Sequence, residues 1–205
     1  GIIIKAGTEY TDVPISFNLD KIDKDKNFVL PISIVSTSEY RIGEPKYSTI
    51  LMNVVLSNAY TGTYSLSGTI REVATGDFID VRMTRTLRVV DPSTVSLYAG
   101  NTSERVSNRE NYRMNMTVNA DSTLTFTPLH PDIIEINRDE PNLDPKNPRN
   151  KILVERTVDV QNSHKSYIVT TFYMYYNYID KTDPADPVEM RWEGTCSRTK
   201  TVFTK

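Results

Sequence analysis

The run from Tyr167 to Tyr178, Tyr-Ile-Val-Thr-Thr-Phe-Tyr-Met-Tyr-Tyr-Asn-Tyr, leaves this chain little choice of secondary structure. Nearly every residue in it is β-branched or aromatic, the types that suit a pleated, half-buried surface. Along a strand, successive side chains point to opposite faces. Ile168, Thr170, Phe172, Met174, Tyr176 and Tyr178 therefore share one face, expected to be buried. Tyr167, Val169, Thr171, Tyr173, Tyr175 and Asn177 share the other.

The same signal continues elsewhere, with no intervening helical pattern. Val13–Leu19, Phe28–Ser36 and Ile50–Leu56 are short apolar or alternating runs, and further strands are expected near 63–70, 81–90, 94–99, 112–118, 122–127, 152–160, 166–179 and 187–196. Most connections are tight turns such as Thr75-Gly76-Asp77 and Asp91-Pro92-Ser93. Two stretches break the rhythm: Gly100–Asn111, polar with room for one helical turn, and Asn137–Asn150, whose Pro141, Pro145 and Pro148 predict an exposed loop. The lysine-interleaved acidic run Asp20–Asn27 lacks the glycine and closing glutamate of a calcium loop and reads as a solvated turn.

The turn-forming patch Ser57–Gly62 marks an expected domain boundary, giving segments 1–57 and 58–205. The first holds too few strands for an independent sandwich and reads as the latter part of an immunoglobulin-like domain. Gly1 ahead of Ile2-Ile3-Ile4, with no Met, reads as a cut end. The eight strands expected after residue 60 are the number that closes a small antiparallel up-and-down barrel, although a β-sandwich would show the same alternation. The fold class is thus all-β.

Chemistry is sparse. A net charge of −2 lacks the basic stripe that nucleic acid demands. Cys196 stands alone on an alternating strand, so no intrachain disulfide forms and a buried, inert thiol is expected. His130 and His164 sit in turn contexts outside any metal-ligand spacing. No nucleophile elbow, phosphate-cradling loop or convergent carboxylate pair stands out, so neither an enzyme nor a cofactor or metal is expected. No apolar run is long enough to cross a bilayer as a helix.

The aromatic residues offer more. A sugar presents C–H groups to an aromatic face, while its hydroxyls need amide, carboxylate or guanidinium partners. Trp192 alternates with Val188, Met190, Gly194 and Cys196 and so belongs with the apolar face. Tyr173 and Tyr175, two residues apart and about 6–7 Å from ring to ring, form a candidate stacking platform with Asn177 supplying hydrogen bonds. Ordinary cross-strand aromatic packing, common in sheets, is the simpler account of them.

Several stretches carry a family resemblance. Ile4-Lys5-Ala6-Gly7, Val13-Pro14-Ile15 and the run from Asp20 through Phe28-Val29-Leu30-Pro31-Ile32-Ser33-Ile34 resemble the closing half of an immunoglobulin-like domain. That domain opens surface lipoproteins of gut Bacteroidetes. Asn58–Gly68, Phe172–Tyr178 and Arg191-Trp192-Glu193-Gly194 are similar to the β-barrel, lipocalin-like domain of unknown function that follows it. The resemblance implies a polysaccharide-utilisation locus, a lipid anchor at the outer membrane's extracellular face, and proximity to a glycan importer complex. It implies a non-catalytic cell-surface protein binding a polysaccharide or oligosaccharide. A structural or adhesin-type interaction module is the alternative.

Overall fold

A computed structural model describes residues 2–18, 21–22, 26, 28–39, 41–138, 146 and 148–203. The described residues are mostly strand with very little helix, which makes the chain all-β. It divides into two compact units, Gly1–Asn53 and Val54–Lys205.

The first unit holds a two-stranded sheet of β1 (Phe28–Ser33) and β2 (Thr49–Val54), with a single helical turn, α1 (Pro45–Ser48), between them. The Ser33 and Thr49 hydroxyls lie 2.7 Å apart, and the Ile34 N–H donates to the Ser48 carbonyl at 2.9 Å. The strand expected over Val13–Leu19 does not form: residues 13–18 are irregular, and Leu19 lies outside the described residues. Val13, Ile15 and Phe17 are exposed, and no described strand pairs with their backbone, so nothing fixes them in a ladder. The acidic run of Asp20–Asn27 lies largely outside the described residues.

The second unit is an antiparallel sheet that nearly closes into a barrel. In chain order its strands are β3 (Gly62–Glu72), β4 (Phe78–Val89), β5 (Thr94–Tyr98), β6 (Arg113–Val118), β7 (Leu124–Pro128), β8 (Ile134–Arg138), β9 (Lys151–Val158), β10 (Lys165–Asp180) and β11 (Val188–Phe203). The strand order runs β7-β6-β5-β4-β3-β11-β10. On the far edge of β10 the eighth position is shared: β9 pairs with Ser166–Tyr173 and β8 with Asn177–Asp180. The start of β9 then reaches β7. Thr123 and Lys151 form a bridge, the Leu124 N–H donates to the Asn150 carbonyl at 2.8 Å, and the Ile152 N–H donates to the Ser122 carbonyl at 3.0 Å.

The stretch around the anticipated loop departs from the sequence expectations at both ends. β8 was not expected, and it takes in Asn137 and Arg138 from the anticipated loop. At the other end of that loop, Asn150 is fully buried. Gly100–Asn111 is irregular as expected and runs into a 3₁₀ turn at Arg109–Tyr112.

Alternation fills the barrel interior with Tyr64, Leu87, Met114, Met116, Phe172, Tyr176 and Trp192, none more than 1% exposed. Trp192 needs room, and the facing pair Gly68 and Gly194 supplies it. A Cβ on either glycine would come under 3.0 Å from backbone of the opposite strand and to within about 3 Å of the indole. Cys196 is buried beside this group, and burial pushes its thiol up to about 12.

Candidate functional site

At the end of the barrel where β3 and β10 finish and β4 and β11 begin lies an open cleft of about 640 Å³. Barrel mouths are common ligand sites, and this volume falls in the range of small-molecule pockets. Ile70, Met190 and Val188 give it an apolar floor. Its rim carries exposed apolar groups: Phe78 is 58% and Ile79 53% exposed. The opposite wall is the 101–112 loop, contributing Asn101, Thr102, Val106 and Asn108.

Tyr178 is the unusual residue of the floor. It is only 4% exposed, yet its hydroxyl has no hydrogen-bond partner among the described residues. Burial, followed by the nearby Tyr176 and Asp180, holds its phenol protonated far above the ordinary range. The hydroxyl packs against Gly100, where a Cβ would meet it at 2.6 Å and where φ is +56°, so glycine is required on both counts. A protonated phenol with an idle donor at the base of a cleft is equipped to bond a ligand oxygen.

Three carboxylates share the cleft with it. Asp180 is already engaged: its Oδ2 accepts the Tyr112 hydroxyl at 2.8 Å, and its Oδ1 accepts the Thr182 N–H and hydroxyl. Glu72 and Asp77 line the cleft from the β3–β4 turn, and their carboxylates have no ion-pair partner among the described residues. Arg71, beside them, donates to the Gly76 carbonyl at 2.8 Å and stands 5.0 Å from the Phe78 ring centroid.

The loop wall is held from inside the barrel by Arg85, a fully buried guanidinium. Its Nη1 donates to the Thr102 carbonyl at 2.5 Å and its Nη2 to the Gly100 carbonyl at 3.0 Å, while the Gly100 N–H donates to the Tyr176 hydroxyl. From outside, the Glu104 carboxylate accepts the Thr86 N–H at 2.7 Å and pairs with Arg88 at 3.7 Å. Burial lowers the Arg85 pKa.

The strand singled out in the sequence, β10, contributes to the cleft through Tyr178 and Asp180 and not through its outward tyrosines. Tyr173 is half-buried, and Tyr175 and Asn177 are each 4% exposed, so the expected open pair of rings is absent. The cause is tertiary. Arg149 lies with its guanidinium carbon 3.9 Å from the Tyr175 centroid, and Arg191 stands at 5.9 Å. Asn177 is locked, donating to Glu189 at 2.8 Å and accepting from Arg191 Nε at 3.0 Å. Trp192 and Cys196 are in the core, as the alternation predicts, and neither reaches the cleft lining. Among the described residues, no three His, Cys, Asp or Glu side chains stand close enough to hold a metal ion.

A family model described as a "-like, C-terminal" domain matches residues 48–197. No curated protein matches the sequence. Among solved structures, the chain is similar to a multidomain protein including DUF1735 from Bacteroides ovatus, at 22% identity and TM-score 0.66, covering 92% of this chain and 63% of that one. A protein of unknown function from the same species gives 19% identity and TM-score 0.65, covering 92% and 62%. An auxiliary nutrient binding protein from Bacteroides thetaiotaomicron VPI-5482 gives 16% identity and TM-score 0.55, covering 84% and 57%. At these identities the likeness establishes the fold. The chain spans roughly three-fifths of the length of these relatives.

Proposed function

The chain belongs to the family whose "-like, C-terminal" model covers residues 48–197, and from that premise we propose that it is a non-catalytic, cell-surface glycan-binding protein. The observation carrying this reading is the cleft itself, where an exposed Phe78 ring, the idle Tyr178 hydroxyl and the carboxylates of Glu72 and Asp77 converge. An aromatic face suits the C–H side of a sugar. The phenol and carboxylates suit its hydroxyls. The fold likeness to an auxiliary nutrient binding protein from Bacteroides thetaiotaomicron supports a binding role in the same direction. A lipid anchor on the full-length protein and work alongside an outer-membrane importer complete the proposal.

The test is calorimetry of the full-length protein against a panel of polysaccharides and oligosaccharides. Phe78→Ala should weaken binding by about tenfold. Because the ring is 58% exposed, the variant should shift stability by no more than about 0.5 kcal/mol. Tyr173→Ala, on the outward face of β10, should leave affinity unchanged. Loss of binding on Tyr173→Ala with none on Phe78→Ala would move the site to that face.

One observation favours a second reading, a protein-interaction module. Val154 and Val158 on β9 are 56% and 53% exposed, and beyond Ile152 no described strand pairs with the outer edge of β9. Co-purification of the full-length protein with an importer complex, lost on charging Val154, would support it.

A further inference from the structure

We infer that the cleft selects neutral glycans over anionic ones, an inference that rests on the glycan-binding reading above. The lining includes three carboxylates, Glu72, Asp77 and Asp180, and, among the described residues, no lysine or arginine. Asp180 is saturated by Tyr112 and Thr182, which leaves it no role in gripping ligand. Glu72 and Asp77 keep their acceptor oxygens available among the described residues. The adjacent cation, Arg71, is directed to the Gly76 carbonyl and the Phe78 ring, and it is not part of the lining.

The hydrogen-bond inventory points the same way. Ionised carboxylates only accept, so a ligand must bring donors. A neutral sugar brings a hydroxyl at nearly every carbon. A uronate or sulfate replaces a donor with a second anion and places it among three carboxylates. Tyr178, a residue only 4% exposed whose hydroxyl has no partner among the described residues, is an independent sign that the floor is built for a ligand oxygen. The donors of the lining, the Tyr178 phenol and the amides and hydroxyls of Asn101, Thr102, Ser103 and Asn108, are all neutral and do not cancel three like charges in a partly desolvated cleft, where each repulsion exceeds its value in water. A matched anionic glycan should therefore bind at least about tenfold more weakly than its neutral counterpart at physiological salt.

The experiment uses the full-length protein, wild type and the double variant Glu72→Gln/Asp77→Asn. Each is titrated with polygalacturonate, its fully methyl-esterified form, and panels of neutral and of uronate- or sulfate-bearing oligosaccharides. The expected result is binding to neutral members, anionic members at least about tenfold weaker, and a gap that narrows in the double variant and at high salt. Equal or tighter binding of anionic members by the wild type would overturn the charge selection while leaving glycan binding standing. A gap unchanged in the double variant would likewise overturn it. Failure of both proteins to bind any glycan in either panel would overturn the underlying functional reading, and this inference with it.

Discussion

Single residues in this protein carry burdens that their types alone do not announce. Cys196 is an inward residue by alternation, Tyr64 joins it in the core, and both are no more than 1% exposed. Burial pushes the thiol and the phenol each up to about 12. Both are acids that bind their protons more tightly folded than unfolded, so the folded state holds more protons once the pH exceeds the unfolded values of about 9 and 10. The contribution of these two groups should be level below that point, and stability should fall as the pH rises from about 9 towards 12. Urea midpoints at pH 8 and pH 10.5 check this, and a midpoint that holds or rises at the higher pH would contradict it. Arg85 is equally legible from the pattern. It sits on the alternating face Val81-Met83-Arg85-Leu87 of β4, and a charged residue in that pattern signals a buried cation with a structural duty. Its partners were not legible, because the carbonyls of Gly100 and Thr102 belong to a loop without periodicity.

Strands were the most legible elements. β3, β5, β6, β9 and β10 lie within a few residues of their expected spans, because each alternates clearly and ends at turn-forming residues. β11 runs on to Phe203, well past the expected end, since its polar tail is held by register with β10 from Lys165 to Thr171 and not by apolar content. β8 was missed because five residues between a proline turn and a proline-rich stretch give too short a pattern. The division of one barrel position between β8 and β9 was also out of reach, and it depends on Asn150. Where β9 ends its pairing at Tyr173 and β8 begins at Asn177, the Asn150 carboxamide fills the gap. Its Nδ2 donates to the Tyr175 carbonyl at 2.6 Å, and its Oδ1 accepts the Tyr175 N–H at 2.7 Å. The side chain thus stands in for a strand's own amide. Asn150 also has φ +48°, a conformation asparagine tolerates better than most residues. Asn150→Gly keeps that backbone and deletes both bonds, with glycine's greater freedom in the unfolded chain adding a smaller loss. It should cost about 2–4 kcal/mol by chemical denaturation, the cost of stranding two buried backbone groups. A loss below about 0.5 kcal/mol would show that the strand junction does not depend on this amide.

At the scale of the whole molecule, the barrel is a meander whose first and last strands, β3 and β11, zip together over Met190–Ser197. Gly68 and Gly194 meet at that junction with Trp192 against them. Gly194→Ala would drive a methyl into backbone of the facing strand, and overpacking of this kind should cost about 2–3 kcal/mol. Thermal unfolding of the variant checks this, and an unchanged midpoint would mean the strands can part without penalty. The sequence by itself determined the β fold, the inward and outward sets on each strand, and the interior places of Trp192 and Cys196. All of these follow from a two-residue period imposed locally by backbone geometry. Only the tertiary structure decided which outward residues meet solvent and where a ligand could enter. Tyr175 is outward by pattern yet buried, because Arg149 and Arg191 lie over its ring. The cleft gathers Phe78, Asn108, Tyr178 and Met190 from strand ends and a loop far apart in the chain. Pattern fixes the side of a sheet a residue faces, whereas exposure and concavity are properties of whatever distant segment packs beside it.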